Sequence, residues 1–324
     1  MIQGSWAMVL NSLSIIAFSL LFLVLVLSIF IKLKPFNLNH YSASSRLATL
    51  WVFVLSPWAV GAMTTALVII SDSQFVKIPD AYNLVHWHHP KEFAVFSWHG
   101  VSIFFAAGYI VWMFIKNIAI FFSNHQKVIL LHTLSEYEGN GIFRLDADAP
   151  AAFTAGYSQP RCYITTGLSE RLSEQESDIV HLHEKEHARR FDPLKKWIFQ
   201  LFTSFFPSSV ASQLDGSMIL AVEQIADSAV SRVVKDKSLI AMTLLKVKRI
   251  INSPLQTNAG VPYLSEKVAC HYGLDSIEQR ICYLLSEKRA KKIPLIFLCL
   301  VVVSMSVVCA VSADIFHHVI EYSL

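Results

Sequence analysis

Long apolar runs alternate with polar stretches along the chain, and the pattern predicts four membrane-crossing helices around one polar domain. The runs fall at about 7–31, 48–71, 93–115 and 293–313. Each is long enough to cross a hydrocarbon core of about 30 Å as a helix, and each holds few or no charged residues. Pro57 and Gly61 in the second run predict a kink that neighbouring helices can satisfy. The first run lacks a basic leader and is followed by Lys32 and Lys34 rather than a small-residue cleavage site, so it reads as a span. The polar segment is long enough for one domain with its own core. The expected class is α+β in a multi-span helical membrane protein. Residues 1–122 form a three-span membrane domain, 123–292 a cytoplasmic domain, and 293–324 a fourth span with a short tail.

Within the polar segment the periodicity changes. Val128 to Leu134 reads as a strand, the Gly139-Asn140-Gly141 turn leads into Ile142–Leu145, and Cys162–Thr166 is a third strand. Ser173-Glu-Gln-Glu176 is a capping box with Leu172 as its staple, and it starts a helix. Ile179, Val180, His183, His187 and Phe191 share one stripe of that helix, predicted to be buried, and Asp192-Pro193 ends it. Trp197 to Val210, with four Phe, is too short to span and is expected in a core or against the membrane.

Composition agrees with the membrane assignment: 54% hydrophobic against 16% charged, with a mean hydropathy of +0.47, is too apolar for a soluble globule of this length. Charge adds an orientation. Lys32, Lys34 and Arg46 follow the first run without acids, and Lys288, Arg289, Lys291 and Lys292 precede the fourth, which predicts that these ends face the cytoplasm of a bacterial-type inner membrane. Both termini are then extracytoplasmic. The net charge of +3 is modest and its basic residues sit near span ends, so direct nucleic-acid binding gains no support. The five Cys include no CxxC pair and imply no disulfide framework; Cys162 is read as a packing residue rather than a nucleophile.

The narrowest chemical signal is His183-Glu184-Lys-Glu-His187, an HExxH element. Two His four apart on a helix project from one face and can reach a single metal ion, with Glu184 beside it as catalytic base. A third ligand is expected at Glu223, which lies on the apolar face made by Ile219, Ala226 and Val230, where a lone carboxylate is costly and a zinc ion would compensate it. Asp227, one turn on, is placed to fix the tautomer of a ligand His. His181 points off the metal face. His271, Tyr272 and Arg280 lie downstream, and none is assigned as an oxyanion donor.

Taken in order, Pro160-Arg-Cys-Tyr-Ile-Thr-Thr-Gly-Leu168, Leu172-Ser173, the HExxH element, Asp192-Pro-Leu194, Pro207 and Glu223-x-x-x-Asp227 resemble the BlaR/MecR antirepressor family of membrane zinc peptidases, a gluzincin group. Arg280-Ile281 adds a weaker match. The resemblance implies one Zn2+ per chain, held by His183, His187 and Glu223, and a peptidase that cleaves a cytoplasmic protein such as a winged-helix repressor. It also implies self-cleavage before the last span and a homodimer. Lys288-Arg289 lies in that interval, though a basic anchor there is expected for topology alone. The sequence stops at Leu324 without the family's penicillin-binding domain, so antibiotic sensing is not implied. Two other readings stay open: an HtpX-like quality-control peptidase of the bilayer, and a noncatalytic zinc-domain receptor, against which the retained Glu184 argues. An extended substrate is expected to lie against Cys162–Thr166 or the strand before it. His86, His88 and His89, with His99, His317 and His318, are expected outside, either as a metal or pH sensor or as interfacial anchors beside Trp87.

Overall fold

The computed structural model describes residues 1–33, 40–72, 92–96, 98–252, 274–286 and 291–323. Among these, α1 (Ser5–Leu33), α2 (Ala43–Asp72) and α3 (Trp98–Thr133) are long and apolar enough to cross a membrane. Leu20, Val24, Leu27 and Ile31 of α1 pack with Leu47, Leu50 and Val54 of α2. Phe104, Phe105, Trp112 and Ile115 of α3 are exposed, as on a helix surrounded by lipid rather than water. A last helix, Leu295–Ser323, lies against the first two where Cys309 meets Leu23 and Val60, and Thr64 Oγ1 donates to the Ser306 carbonyl at 3.5 Å. Its apolar stretch Ile296–Cys309 is shorter than those of the other three. Two-residue strands β1 (Ile2–Gln3) and β2 (Glu92–Phe93) pair antiparallel at one end of the bundle.

The third helix begins at Trp98 rather than 93 and continues to Thr133, so the expected junction at 122/123 falls inside it. Val128–Leu134 is therefore not a strand. Val128 and Leu131 face the sheet while Ile129 and Leu130 are exposed, a helical spacing that a short apolar run does not reveal. The sheet follows at once, in the order β3 (Ser135–Gly139), β4 (Ile142–Leu145), β6 (Arg161–Thr165), β5 (Ala152–Ala155). The β3–β4 hairpin turns through Asn140 and Gly141, both at positive φ. Strands β4 and β6 are parallel, β6 and β5 antiparallel, and β5 is an edge of the sheet among the described residues. Leu145, Phe143, Phe153 and Tyr163 cover the α3 face of the sheet, and Ile142, Cys162 and Ile164 the opposite face.

A short α4 (Thr166–Ser169) follows β6, and its Gly167 meets the loop before β5 at close quarters. A Cβ there would stand 1.9 Å from the Asp148 carbonyl oxygen, a backbone atom that can yield only by moving the chain. Gly167→Ala is expected to cost about 1–3 kcal/mol or more, read as a lower unfolding midpoint. An unchanged midpoint would show that this approach is not rigid.

Among the described residues five helices follow in the domain: α5 (Glu174–Arg189), α6 (Asp192–Thr203), α7 (Ser208–Val233), α8 (Lys237–Ile251) and α9 (Leu274–Leu285); Leu295–Ser323 is then α10. Helices α6 and α7 form a hairpin whose apolar tip is wedged among the span helices. Trp58, near the middle of the α2 span, meets Phe202, Phe205 and Phe114 edge-on, and Trp51 meets Phe199. Phe206, Val210, Leu214 and Met218 join the α1–α2 core. The Trp197–Val210 segment is thus a helix–turn–helix corner packed on the bundle.

Candidate metal centre

The capping box forms as expected: Ser173 Oγ accepts from the Glu176 N–H, and Glu176 Oε2 accepts from the Ser173 N–H at 2.8 Å. It fixes the start of α5, and therefore which face carries His183 and His187. Both are buried, with ring centroids 4.7 Å apart and their Nε2 atoms 3.1 Å apart. From α7, Glu223 brings Oε2 to 3.2 Å from His183 Nε2 and Oε1 to 3.6 Å from His187 Nε2. Among the described residues, these three form a group whose potential ligand atoms all lie within 4.8 Å of one another.

Carboxylates hold the far side of each imidazole. Asp227 Oδ1 lies 3.1 Å from His183 Nδ1, and Asp192 Oδ2 lies 2.8 Å from His187 Nδ1. At His187 the carboxylate pairs with Nδ1 in hydrogen-bond geometry, which keeps the proton there and turns the Nε2 lone pair toward the shared space, as in metal-binding His; at His183 the Asp227 contact is a close charge pair outside hydrogen-bond geometry. The donor set of two buried imidazole nitrogens and one half-buried carboxylate fits a divalent cation such as zinc. Arg280 of α9 fixes the rear: Nε and Nη2 donate to Asp227 at 2.8 Å each, and Nη1 lies 3.2 Å from Glu223 Oε2. Lys196 Nζ is 3.6 Å from Glu223 Oε1.

The charges are strongly coupled. Burial disfavours the His183 imidazolium, yet Asp227 and Glu223 outweigh it and raise its pKa to about 10. Burial likewise opposes the upward shift of His187, which Glu223 and Asp192 produce. Glu223 is held well below the usual carboxylate range against its own burial, by His187, Arg280 and His183. A cation entering this site must therefore displace the proton that His183, with its raised pKa, carries through neutral pH. Apparent zinc affinity is expected to rise on the order of tenfold per pH unit between 6 and 8, measured by chelator-competition titration. A flat profile would contradict the His ligands.

Glu184 faces a cleft of about 360 Å³ that also exposes His183, His187, Glu223 and the edge strand β5. Thr154 of β5 places its Oγ1 2.8 Å from both the Glu184 carbonyl oxygen and Oε2, fixing the carboxylate against the strand. Cys162 lies behind, its thiol pushed up to about 11 by burial and by the Glu184 charge, which suits packing rather than nucleophilic attack.

The structure thus gathers His183, Glu184, His187, Glu223 and Asp227 at one centre. His181 stays outside it, 3.4 Å from Ser177 Oγ. Phe191 departs from the expected buried stripe: it is 43% exposed, in a left-handed conformation that ends α5 and turns Asp192 back onto His187. His86, His88 and His89, His271, Tyr272 and the Lys288-Arg289 pair lie outside the described residues. Sequence reasoning missed Thr154, Lys196 and the Asp192 contact, and left Arg280 unassigned. It also missed Arg46 at the head of α2, which donates to Gln224 Oε1 beside Glu223, while Gln224 Nε2 donates to the Gln279 carbonyl at 3.1 Å. No family model and no curated protein matches the chain.

Proposed function

We propose that the protein is a membrane zinc endopeptidase with its metal centre on the cytoplasmic side, both termini outside, and the fourth helix as a further span. The observation that carries this reading is the convergence of two imidazoles, each backed by a carboxylate, and a half-buried Glu223 beside Glu184, in a cleft bordered by β5, an edge of the sheet among the described residues. A bound zinc ion supplies Lewis-acid polarisation and lowers the pKa of water to about 7. Glu184 takes the proton of the attacking water and returns it to the leaving amine, held in place by Thr154. An extended peptide pairs along β5, the edge strand that precedes Cys162–Thr166.

Resemblance to the BlaR/MecR family supports a regulatory role, with a repressor as substrate. The Arg46–Gln224–Gln279 chain supports it too, because it joins the head of a span helix directly to the helices that carry Glu223 and Arg280. The α6–α7 wedge favours a second reading, quality control of membrane proteins. It sets the metal centre about 25 Å along α7 from a tip at mid-span, level with the head of α2.

The full chain in lipid nanodiscs should cleave protein substrates, lose cleavage with a zinc chelator and regain it on adding zinc, with new termini read by mass spectrometry. Cleavage that survives complete metal removal would refute the enzyme assignment. Preference for a soluble repressor over a membrane-inserted segment, compared in the same assay, separates the two substrate readings.

A further inference from the structure

We infer that Gln224 and Arg46 are positioning residues that hold the third ligand, Glu223, in register with His183 and His187, an inference that rests on the metal-centre reading. A metal site tolerates displacements of only about 0.5 Å in its ligands. His183 and His187 share one helix, so their spacing is fixed locally, whereas Glu223 arrives on α7 and depends on how that helix is turned and how far it slides. A slip of one residue along α7 turns a side chain by about 100° and moves it by about 1.5 Å, enough to take Glu223 away from the imidazoles. The apolar surface around it resists this weakly. Ala221, Val222 and Ala226 are fully buried but small, and apolar packing alone specifies position loosely.

Gln224 supplies what those residues lack. It is 2% exposed, and both ends of its amide are engaged: Oε1 accepts from Arg46 Nη2, and Nε2 donates to the Gln279 carbonyl oxygen at 3.1 Å. A guanidinium can only donate and a carbonyl can only accept, so the amide fits one way round. Arg46, at the head of α2, is 5% exposed and has no carboxylate partner among the described residues. Its guanidinium stands over the Tyr283 ring, 5.5 Å from the centroid, and the Tyr283 hydroxyl accepts from the Ala43 N–H at 3.1 Å. Gln279 and Tyr283 flank Arg280 on α9, the residue that reaches both Asp227 and Glu223. One buried cation therefore ties the head of α2 to the two helices that bring Glu223 and its counter-charge. Burying a charge without an acid costs stability, and what it returns is a single packing arrangement, as buried polar groups do where helices could slip. Neither residue touches a reacting atom.

The test uses the full chain in nanodiscs titrated with cobalt(II), whose visible absorption reports the coordination. Arg46→Met, Gln224→Met and the double variant should each bind cobalt at least about tenfold more weakly, with an altered spectrum, and the double variant should lose no more than the worse single one, because the two residues act through one contact. Stability should part from affinity. Each single variant leaves a buried polar group unpaired, whereas the double variant puts apolar groups on both sides and should unfold near the wild-type midpoint. If a single variant does not fold, the double variant carries the comparison. Gly167→Ala, which should lower the midpoint without touching α7, should keep the wild-type cobalt affinity and spectrum. Wild-type affinity and spectrum in the double variant, additive losses, a double variant that fails to fold, or an equal loss in Gly167→Ala would overturn the assignment. A wild-type chain that takes up no cobalt would instead defeat the metal reading, and this inference with it.

Discussion

Replacing Glu184 by glutamine should slow peptide cleavage by about 10²- to 10⁴-fold while the protein keeps its full complement of metal. The substitution preserves size, and its amide oxygen can still accept the Thr154 hydroxyl that now reaches Glu184 Oε2 at 2.8 Å. What is lost is the capacity to take a proton. Because His183, His187 and Glu223 make the candidate metal site without Glu184, the catalytic and binding effects should separate. Single-turnover cleavage and metal content by mass spectrometry, on one preparation, give both numbers. Undiminished cleavage would remove Glu184 as the base, and loss of the metal would make it a structural residue.

Arg280→Met is expected to have the largest effect on stability, about 3–5 kcal/mol, because it strips a buried carboxylate of its partner. Asp227 is 1% exposed and receives two 2.8 Å hydrogen bonds from this guanidinium. Its other charged contact, His183, cannot replace the fork. Lysine should rescue poorly, since an ammonium cannot match a bidentate carboxylate contact. The loss should deepen with a chelator, because a bound zinc ion would still compensate Glu223 when Arg280 is gone, whereas with both removed Glu223 keeps only His183, His187 and Lys196. Thermal unfolding with and without chelator measures this. A midpoint equal to wild type in both would mean that Asp227 is not held as the geometry implies.

The parts of this centre that sequence reveals are those built by local periodicity. The HExxH spacing places two His on one face of α5, and the capping box fixes where that helix starts. Glu223 and Asp227 were legible because a carboxylate on an otherwise apolar helical face needs a partner. Thr154 carried no such signal: its contact with Glu184 crosses 30 residues and depends on β5 being an edge. Arg46 reads as a topology signal at the head of a span, and its link to Gln224 crosses 178 residues. The error at Val128–Leu134 has a related cause. Seven residues cannot distinguish a strand from the end of a long helix when the buried positions, Val128 and Leu131, are set by a sheet that forms later in the chain. Phe191 failed for a backbone reason, since its left-handed turn takes it off the α5 stripe and brings Asp192 in its place.

The most direct measurement is X-ray absorption at the zinc edge on the full chain purified in nanodiscs, beside Glu223→Ala. Wild type should hold one zinc per chain with two imidazole nitrogens in a nitrogen–oxygen shell at about 2.0–2.2 Å, and Glu223→Ala should lose most of it. A sulfur shell at about 2.3 Å, or an unchanged spectrum and zinc content in Glu223→Ala, would contradict the centre described here.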